Sequence, residues 1–485
     1  MTDKKIEIGE DYLRSCFSRN EAGDADLFAR LHLGKVLWCS DLEHWMAFAN
    51  HHWQEDQTKF AESLVEGVAS EYEMIMPGKK EDIEMWRIFK RRINRLRSVA
   101  GIRNTLELSK MARDPKTGAP LMTVTSAVFN RDTTRIACPT GVINLKNGQL
   151  RDGQPDDYIT LFIPTPFLSV EQPSPTCDGF MEQIFPDAAL RHYMQKVIGS
   201  ALLGLRREHF AYVLLGSGRN GKSALVEELR RALGDEICTS VPASLFMEQR
   251  FQSTGPTPEM MALSGTRLVF GAELPGRSAF DTAKLKLATG GDTIAARYGY
   301  AKKQSTFQPK CTLFLACNSV PHCSGDDAAG MDRLRIIDFV SKVVMDRPPR
   351  PDSNEIAYDP DLEKKFATER SGTLAWIVRG GLLYLREGLT PPKSVLDRGA
   401  EYVQAEDVLG MWLADRQDTS SSGWTAATPL HDDFCLWAEK TRTCKPWGSK
   451  TFFSDLKKRV KYKAGARCKE YEIILQSNSF FTLPD

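Results

Sequence analysis

The chain has 485 residues, 42% hydrophobic and 26% charged, with a formal net charge of +1. This is the composition of a soluble globular protein of about three domains at ~150 residues each, in which any nucleic-acid surface must be a local patch. Eleven scattered cysteines, an N-terminus (MTDKKIEIGEDYL) without an apolar core and no apolar run near the ~20 residues that span a bilayer argue against secretion and membrane insertion. They favour reduced thiols in the cytoplasm.

Residues 1–112 read as mostly helical, with Trp38, Trp45 and Trp53 as core anchors. Trp86, Phe89, Ile93 and Leu96 recur at helical spacing, and the same helix carries Arg87, Lys90, Arg91, Arg92, Arg95 and Arg97. A DNA-facing helix is one reading of that run; a solvated surface is the favoured one. Asp24 and Asp26 resemble an acidic pair for two metals, but they lie beside LFARLHL without a third acid in strand context. They read as an exposed helix start. From 121 to 164 the pattern turns to short β runs (LMTVTSAVF, CPTGVINL, YITLFI), and Asn147-Gly148 marks a hairpin. FMEQIF and LRHYMQKVIGSALLGL return to helix before the central region.

That region begins with the apolar run AYVLL, followed by Gly216-Ser217-Gly218-Arg219-Asn220-Gly221-Lys222-Ser223 and the helical ALVEELRRAL. Strand, glycine loop and helix, at the spacing G-x-x-x-x-G-K-[ST], are the context of a phosphate loop. Glycines let successive N–H groups converge on phosphate oxygens at the positive end of a helix. Lys222 would neutralise the β/γ phosphates of ATP and Ser223 would hold Mg²⁺. The strand-like RLVFGAE ends in Glu273, which can hold Mg²⁺ through water and polarise an attacking water; its distance from Ser223 is compatible with a neighbouring parallel strand. CTLFLAC ends at Asn318, placed to sense the γ-phosphate or orient water. Between these strands IAARYGYAKKQSTF reads as a hairpin with Lys302 and Lys303 at its turn and Arg297 alongside. On these residues a phosphate contact and a solvated tip are equally supported.

Helical segments from Pro360 to Ala414 read as a lid or collar around Trp376 and Trp412, and Thr419-Ser420-Ser421-Ser422-Gly423 as a linker. PLHDDFCLWAEK and SKTFFSDLKKRV, then a short strand, suit a small winged helix. From Lys445 to Lys469 nine basic residues face one acid, Asp455, which makes Lys457, Lys458, Arg459, Lys461 and Lys463 the expected phosphate contacts. Histidine and cysteine near Cys317 and Cys435 lack a C-x-x-C pair, so structural zinc is disfavoured.

KLATGGDTIAARYGY, QPKCTLFLACNSVP and DRLRIIDF, in this order after the phosphate loop, resemble the superfamily 3 helicase core of phage, plasmid and poxvirus primase-helicases. ACPTGVINLKNGQL resembles that family's N-terminal region, and ERSGTLAWIVRGGLLYLREGLTPP its segment after the motor. The resemblance implies an α/β fold with an AAA+ parallel-sheet core. It divides the chain into a helicase-associated domain (1–170), the ATPase core (171–345), a helical collar (346–416) and a winged helix (424–485). It further implies a homohexameric ring that hydrolyses ATP between subunits and draws single-stranded DNA through its centre, with duplex or fork outside. Lys222, Ser223, Glu273 and Asn318 match its nucleotide motifs, Lys286 its TGGD lysine, and Lys302 and Lys303 its translocating hairpin. Arg333 matches the finger supplied in trans, with Arg335 second, because Met331-Asp332 stands where the family has tryptophan-arginine. The reading is a replication helicase of a phage, plasmid or integrated element. An origin-binding initiator, a primase-helicase and a defence translocase remain as alternatives. A primase domain is not expected, since the chain begins almost directly with the helicase-associated region; a separate primase or polymerase partner stays open.

Overall fold

A computed structural model describes residues 8–205, 207–248, 258–274, 279–296, 305–323, 328–420, 422–441, 446–464 and 468–476. Two helices, Glu10–Ser18 and Asn20–Leu31, open the N-terminal part, and the chain then turns to strands instead of continuing as helix. Val36–Cys39, His44–Ala49 and His52–Glu55 form an antiparallel sheet, to which Thr123–Val124 adds in parallel. Residues 1–112 are mostly helical as expected, and these three strands are the exception the sequence reading did not include. Trp38 and Trp45 are direct register partners across a hairpin, and only Trp53 is fully buried, its Nε1 donating to Pro155 O at 2.9 Å.

Asp24 is not at an exposed helix start. It lies within the second helix, 2% exposed, accepts from Tyr72 Oη at 3.0 Å and pairs with Arg92 Nη2 at 2.7 Å. Burial raises its pKa, with Arg92 and Tyr72 pulling the other way. Arg95 pairs with Glu21, and Arg97 with Glu66 and Glu73. Much of the basic run on helix Ile83–Leu96 therefore braces its own domain, while Phe89, Ile93 and Leu96 enter the core. Arg135–Cys138, Gly141–Asn144 and Gln149–Arg151 form an antiparallel meander with the expected hairpin, and Gly148 takes φ +72° in its turn. YITLFI forms no strand of its own; Phe162 makes an isolated bridge to Ala137.

Helices α1 (Pro175–Ile184) and α2 (Ala188–Leu203) lead into the central unit. It comprises β1 (Ala211–Leu215), α3 (Lys222–Leu233), β2 (Cys238–Pro242), β3 (Leu268–Leu274), α4 (Thr282–Gly290), β4 (Thr312–Cys317) and β5 (Leu334–Asp338). The five strands are all parallel in the order β5-β1-β4-β3-β2. Both sheet faces are covered, which explains the nearly unbroken apolar runs AYVLL and TLFLAC. The neighbour of the phosphate-loop strand is β4, which ends at Asn318, and β3 lies one strand further out. The adjacent-strand placement suggested for Glu273 is thus corrected by one position.

After β5 come a parallel pair, β6 (Lys342–Val344) and β7 (Glu355–Ala357), and a 26-residue helix, α5 (Leu362–Glu387). The boundary drawn from sequence at 345/346 falls between the two paired strands. Helix α5 lies directly on α2: a Cβ built on Gly199 would stand 2.0 Å from the Gly381 backbone nitrogen, so glycine is required where the helices meet. Trp376 belongs to the same core as the sheet, so this part of the expected collar is fused to the central unit.

Helix α6 (Lys393–Glu406) returns to the sheet through Arg398–Asp338 at 3.3 Å and Tyr402 Oη to Pro321 O at 2.7 Å. The last module contains α7 (Val408–Arg416), β8 (Thr425–Ala426), α8 (Ala427–Thr441), α9 (Ser449–Arg459), β9 (Tyr462–Ala464) and β10 (Lys469–Tyr471). Its antiparallel sheet has the order β8-β10-β9. Trp412, expected in the collar, packs here with Leu430, Phe434, Phe452 and Leu456. Its Nε1 donates to Asp433 Oδ2 at 2.9 Å, and Arg416 Nη2 meets Asp433 Oδ1 at 2.7 Å. Residues on both sides of the serine stretch read as a linker thus share one small core. Among the described residues no helix is long and apolar enough to cross a membrane.

Candidate nucleotide-binding site

The carboxyl ends of β1, β3 and β4 open on one edge of the sheet, where side chains at strand ends meet a crevice. The chain leaves β1 through Gly216 and Ser217, turns with positive φ at Gly218 (+94°), Arg219 (+50°) and Gly221 (+85°), and enters α3 at Lys222. Two bonds hold the loop from outside: Gly216 N to Cys317 O at 3.2 Å, and Val343 N to Arg219 O at 2.6 Å. The first N–H groups of α3 lack partners within the helix, which makes this end attractive to an anion.

Lys222 is 8% exposed; its Nζ donates to Gly216 O at 2.5 Å and to Asn220 Oδ1 at 3.2 Å. Asn220 is itself buried. Both acceptors are neutral, and burial lowers the Lys222 pKa from its ordinary value. A buried ammonium held only by neutral groups could accept a phosphate. Lys222, Ser223 and Asn318 line one cavity of about 870 Å³, together with Gly218, Arg219, Asn220 and Gly221. Glu273 stands near the end of β3 on the same edge; its backbone position is described and its side chain is outside the described set. Ser223 Oγ and the Glu273 carboxylate are the groups that would hold Mg²⁺.

Part of the cavity lining was not read from the sequence: Phe180 from α1, and Met345, Ile356 and Tyr358 around β6 and β7, also line it. Residues 342–358 are rich in proline and charge, with no periodicity to mark a ligand wall.

Arg333 lies just before β5, at the amino edge of the sheet, and donates to Lys286 O at 3.1 Å and Thr289 Oγ1 at 2.9 Å. Lys286 and Thr289 belong to α4, so the structure joins the late arginine to the TGGD segment. Arg335 sits within β5, its guanidinium 3.7 Å from the Phe210 ring centroid. The strand separates Arg333 from its own phosphate loop by roughly 15 Å. Strands Ile294–Ala296 and Ser305–Phe307 pair antiparallel as the expected hairpin arms, whereas Arg297, Lys302 and Lys303 lie outside the described residues.

In the C-terminal module Lys457, Lys458 and Arg459 occupy the last turn of α9, where its carbonyl end favours cations. Lys458 pairs with Asp455 at 2.6 Å, Arg459 with Asp407 at 2.6 Å, Lys461 with Glu472 at 3.7 Å and Lys463 with Glu470 at 3.4 Å. The local excess of positive charge is thus smaller than the sequence count implies. Among the described residues no group of three or more His, Cys, Asp or Glu is arranged to hold a metal.

The family profile described as D5 N terminal like matches residues 25–186. The chain is 31% identical over 324 residues to the Acanthamoeba polyphaga mimivirus protein named "Putative helicase L207/L206", covering 64% of this chain and 33% of that protein. It is 25% identical over 190 residues to "Putative primase C962R" of African swine fever virus (isolate Warthog/Namibia/Wart80/1980), covering 39% of this chain and 19% of that protein. The chain therefore spans a third or less of the length of these two curated relatives. In fold it is similar to the A form apo structure of the NrS-1 C terminal region, with 12% identity and a TM-score of 0.50 over 92% of this chain and 97% of that one. From these matches, residues 25–186 carry a D5 N terminal like region, and the chain is similar in sequence to viral proteins named as helicases and a primase.

Proposed function

We propose that the chain is the ATP-dependent motor of a DNA helicase, built on an AAA+ core of the superfamily 3 type. The observation that carries this reading is the single cavity holding Lys222, Ser223 and Asn318 at the carboxyl edge of an all-parallel sheet. Lys222 would leave Gly216 O and Asn220 Oδ1 for the β/γ phosphates, and the α3 N-terminus would add backbone donors. Mg²⁺, held by Ser223 and Glu273, would supply charge neutralisation at the phosphates. Asn318 would orient the attacking water, and Glu273 would polarise it.

Arg333 lies too far from its own loop to stabilise charge there, which supports a ring in which it serves a neighbour's ATP. Lys286, Arg297, Lys302 and Lys303 would then face a single strand in the central pore, and the C-terminal module, a winged helix in its helix and strand order, would contact duplex or fork. The motor serves replication in this reading, consistent with relatives named as helicases and a primase.

The test is unwinding of a forked duplex with ATP and Mg²⁺, comparing the native chain with Lys222→Ala. ATP-dependent unwinding that the substitution abolishes supports the motor. Sequence-specific DNA binding without unwinding would replace it with an origin-binding initiator.

A further inference from the structure

In the C-terminal module, four of the five cations expected to bind phosphate have an acid within 4 Å, and one does not. Lys458, Arg459, Lys461 and Lys463 pair with Asp455, Asp407, Glu472 and Glu470. Lys457 has no ion pair among the described residues. It converges instead with Lys469, which the list of expected contacts did not contain: both Nζ atoms lie 5.5 Å from the Tyr462 ring centroid.

The topology makes this meeting fixed. Lys457 lies in the last turn of α9, Tyr462 begins β9 and Lys469 begins β10; β9 and β10 pair antiparallel, with Tyr462 opposite Tyr471 and Ala464 opposite Lys469. Alternation along a strand puts Lys469 and Tyr471 on one face, so Lys469 stands diagonally from Tyr462. Tyr471 is 1% exposed and belongs to the module core, so this pair is set on a rigid floor. Tyr462 is 49% exposed. Two like charges beside an open aromatic ring, neither in an ion pair among the described residues, make a place suited to an anion. The Lys469 ammonium also lowers the Lys457 pKa, the direction that crowding of like charge produces.

We infer that Lys457 and Lys469 grip one backbone phosphate of a nucleic acid above Tyr462, independently of base sequence. Each ammonium supplies up to three donors as a point charge, which suits a phosphodiester that can be approached from two sides. The exposed ring offers an apolar platform beside the backbone, the pairing of aromatic and basic groups that tracks nucleic acid without reading it. The paired lysines nearby contribute less, because their acids must be displaced before a phosphate is bound. This inference rests on the reading of the C-terminal module as a nucleic-acid contact.

The experiment uses the full chain without ATP and a fluorescent single-stranded oligonucleotide of mixed sequence, titrated across a range of KCl. The double variant Lys457→Gln/Lys469→Gln is compared with Lys461→Gln/Lys463→Gln as the paired control. All four side chains are on the surface, and thermal melting with ATP-analogue binding checks that both variants fold. Each single-strand phosphate contact contributes about 0.7 to the slope of log K against log salt. Losing this one phosphate contact lowers the slope by about 0.7, or affinity roughly 5-fold at 0.1 M against a 1 M reference. The control should change by less than half as much, and a second oligonucleotide of different sequence should respond alike. Inorganic phosphate should compete only at concentrations far above the oligonucleotide. An unchanged slope in the first variant, an equal loss in the control, or saturation by low-millimolar inorganic phosphate would overturn the assignment. If the native chain binds no oligonucleotide, the reading of the module as a nucleic-acid contact fails with it.

Discussion

The Asp433 carboxylate offers the sharpest test of how the C-terminal module holds together. It is 6% exposed and accepts Trp412 Nε1 at 2.9 Å and Arg416 Nη2 at 2.7 Å, while Arg416 is 3% exposed. Arg416 is held above its ordinary pKa chiefly by this bond, so it stays charged. Asp433→Ala strips the carboxylate from a buried guanidinium and the acceptor from a buried indole, which costs about 3–5 kcal/mol. A module of this size has only about 3–10 kcal/mol in total. The substitution should therefore melt α7, α8 and α9 together at low urea while the parallel-sheet core stays folded. Tryptophan fluorescence reads this directly, since Trp412, Trp437 and Trp447 sit in the module core. Two transitions are expected, the first shifted by most of the module's stability, with ATP-analogue binding retained after it. A shift below about 1 kcal/mol, or loss of α8 and α9 without α7, would refute the assignment of Val408–Arg416 to this module.

Glu228, on α3, is 5% exposed and 3.9 Å from Arg370, and burial pushes its pKa up to about 7. The native state then binds the extra proton between the unfolded value near 4.5 and about 7, so this group's stabilisation is full at low pH and lost as pH rises through 7. Glu228→Gln should gain about 1–3 kcal/mol on the native chain between pH 5 and 8, and a difference that does not vary with pH in thermal melts would contradict this. In the phosphate loop, Gly221→Ala forces φ +85° on alanine and brings Cβ within 2.4 Å of Ile184 Cγ2, whereas Gly218→Ala, at φ +94°, meets nothing within 4 Å. Nucleotide affinity should fall at least tenfold for the first and clearly less for the second; equal losses by calorimetry would be inconsistent with this packing. Asn318→Ala should slow hydrolysis by about 10²-fold while leaving ATP-analogue binding within about threefold, a split that a merely structural role would not give.

The strand, glycine turn and helix around Lys222 were legible because they lie within a few residues of one another. Asn318 was legible as the polar end of an apolar run. What sequence could not show was strand order, since nothing local places β4 between β1 and β3. The strands between Val36 and Glu55 went unread inside a region that is mostly helical; a seven-residue tryptophan interval fits a helix face as well as the two sides of a hairpin, and only the register of Trp38 with Trp45 separates them. Helix α7 was read with the helical segments of the collar, ahead of a serine stretch read as a linker. Its partners, Phe434 and Phe452, lie beyond that stretch, and packing outweighs the local break. The part of the cavity lining made by Phe180, Met345 and Tyr358 left no trace in the sequence, because these residues come from segments with unrelated patterns. For the basic C-terminal run, a count of charges gave the region but not the sites, since the acids that neutralise Lys461 and Lys463 come from β10 and the residue after it.

The central claim is that one subunit's phosphate loop is completed by another subunit's Arg333, and mixing inactive variants tests it most directly. Lys222→Ala lacks the phosphate lysine and Arg333→Ala lacks the finger, so each alone should hydrolyse ATP at background rate in the presence of forked DNA. Mixed before assembly, the two should recover a substantial fraction of native activity, because some joints then pair an intact loop with an intact arginine. A mixture that stays at background, or an Arg333→Ala chain that hydrolyses ATP at the native rate, would contradict the shared site.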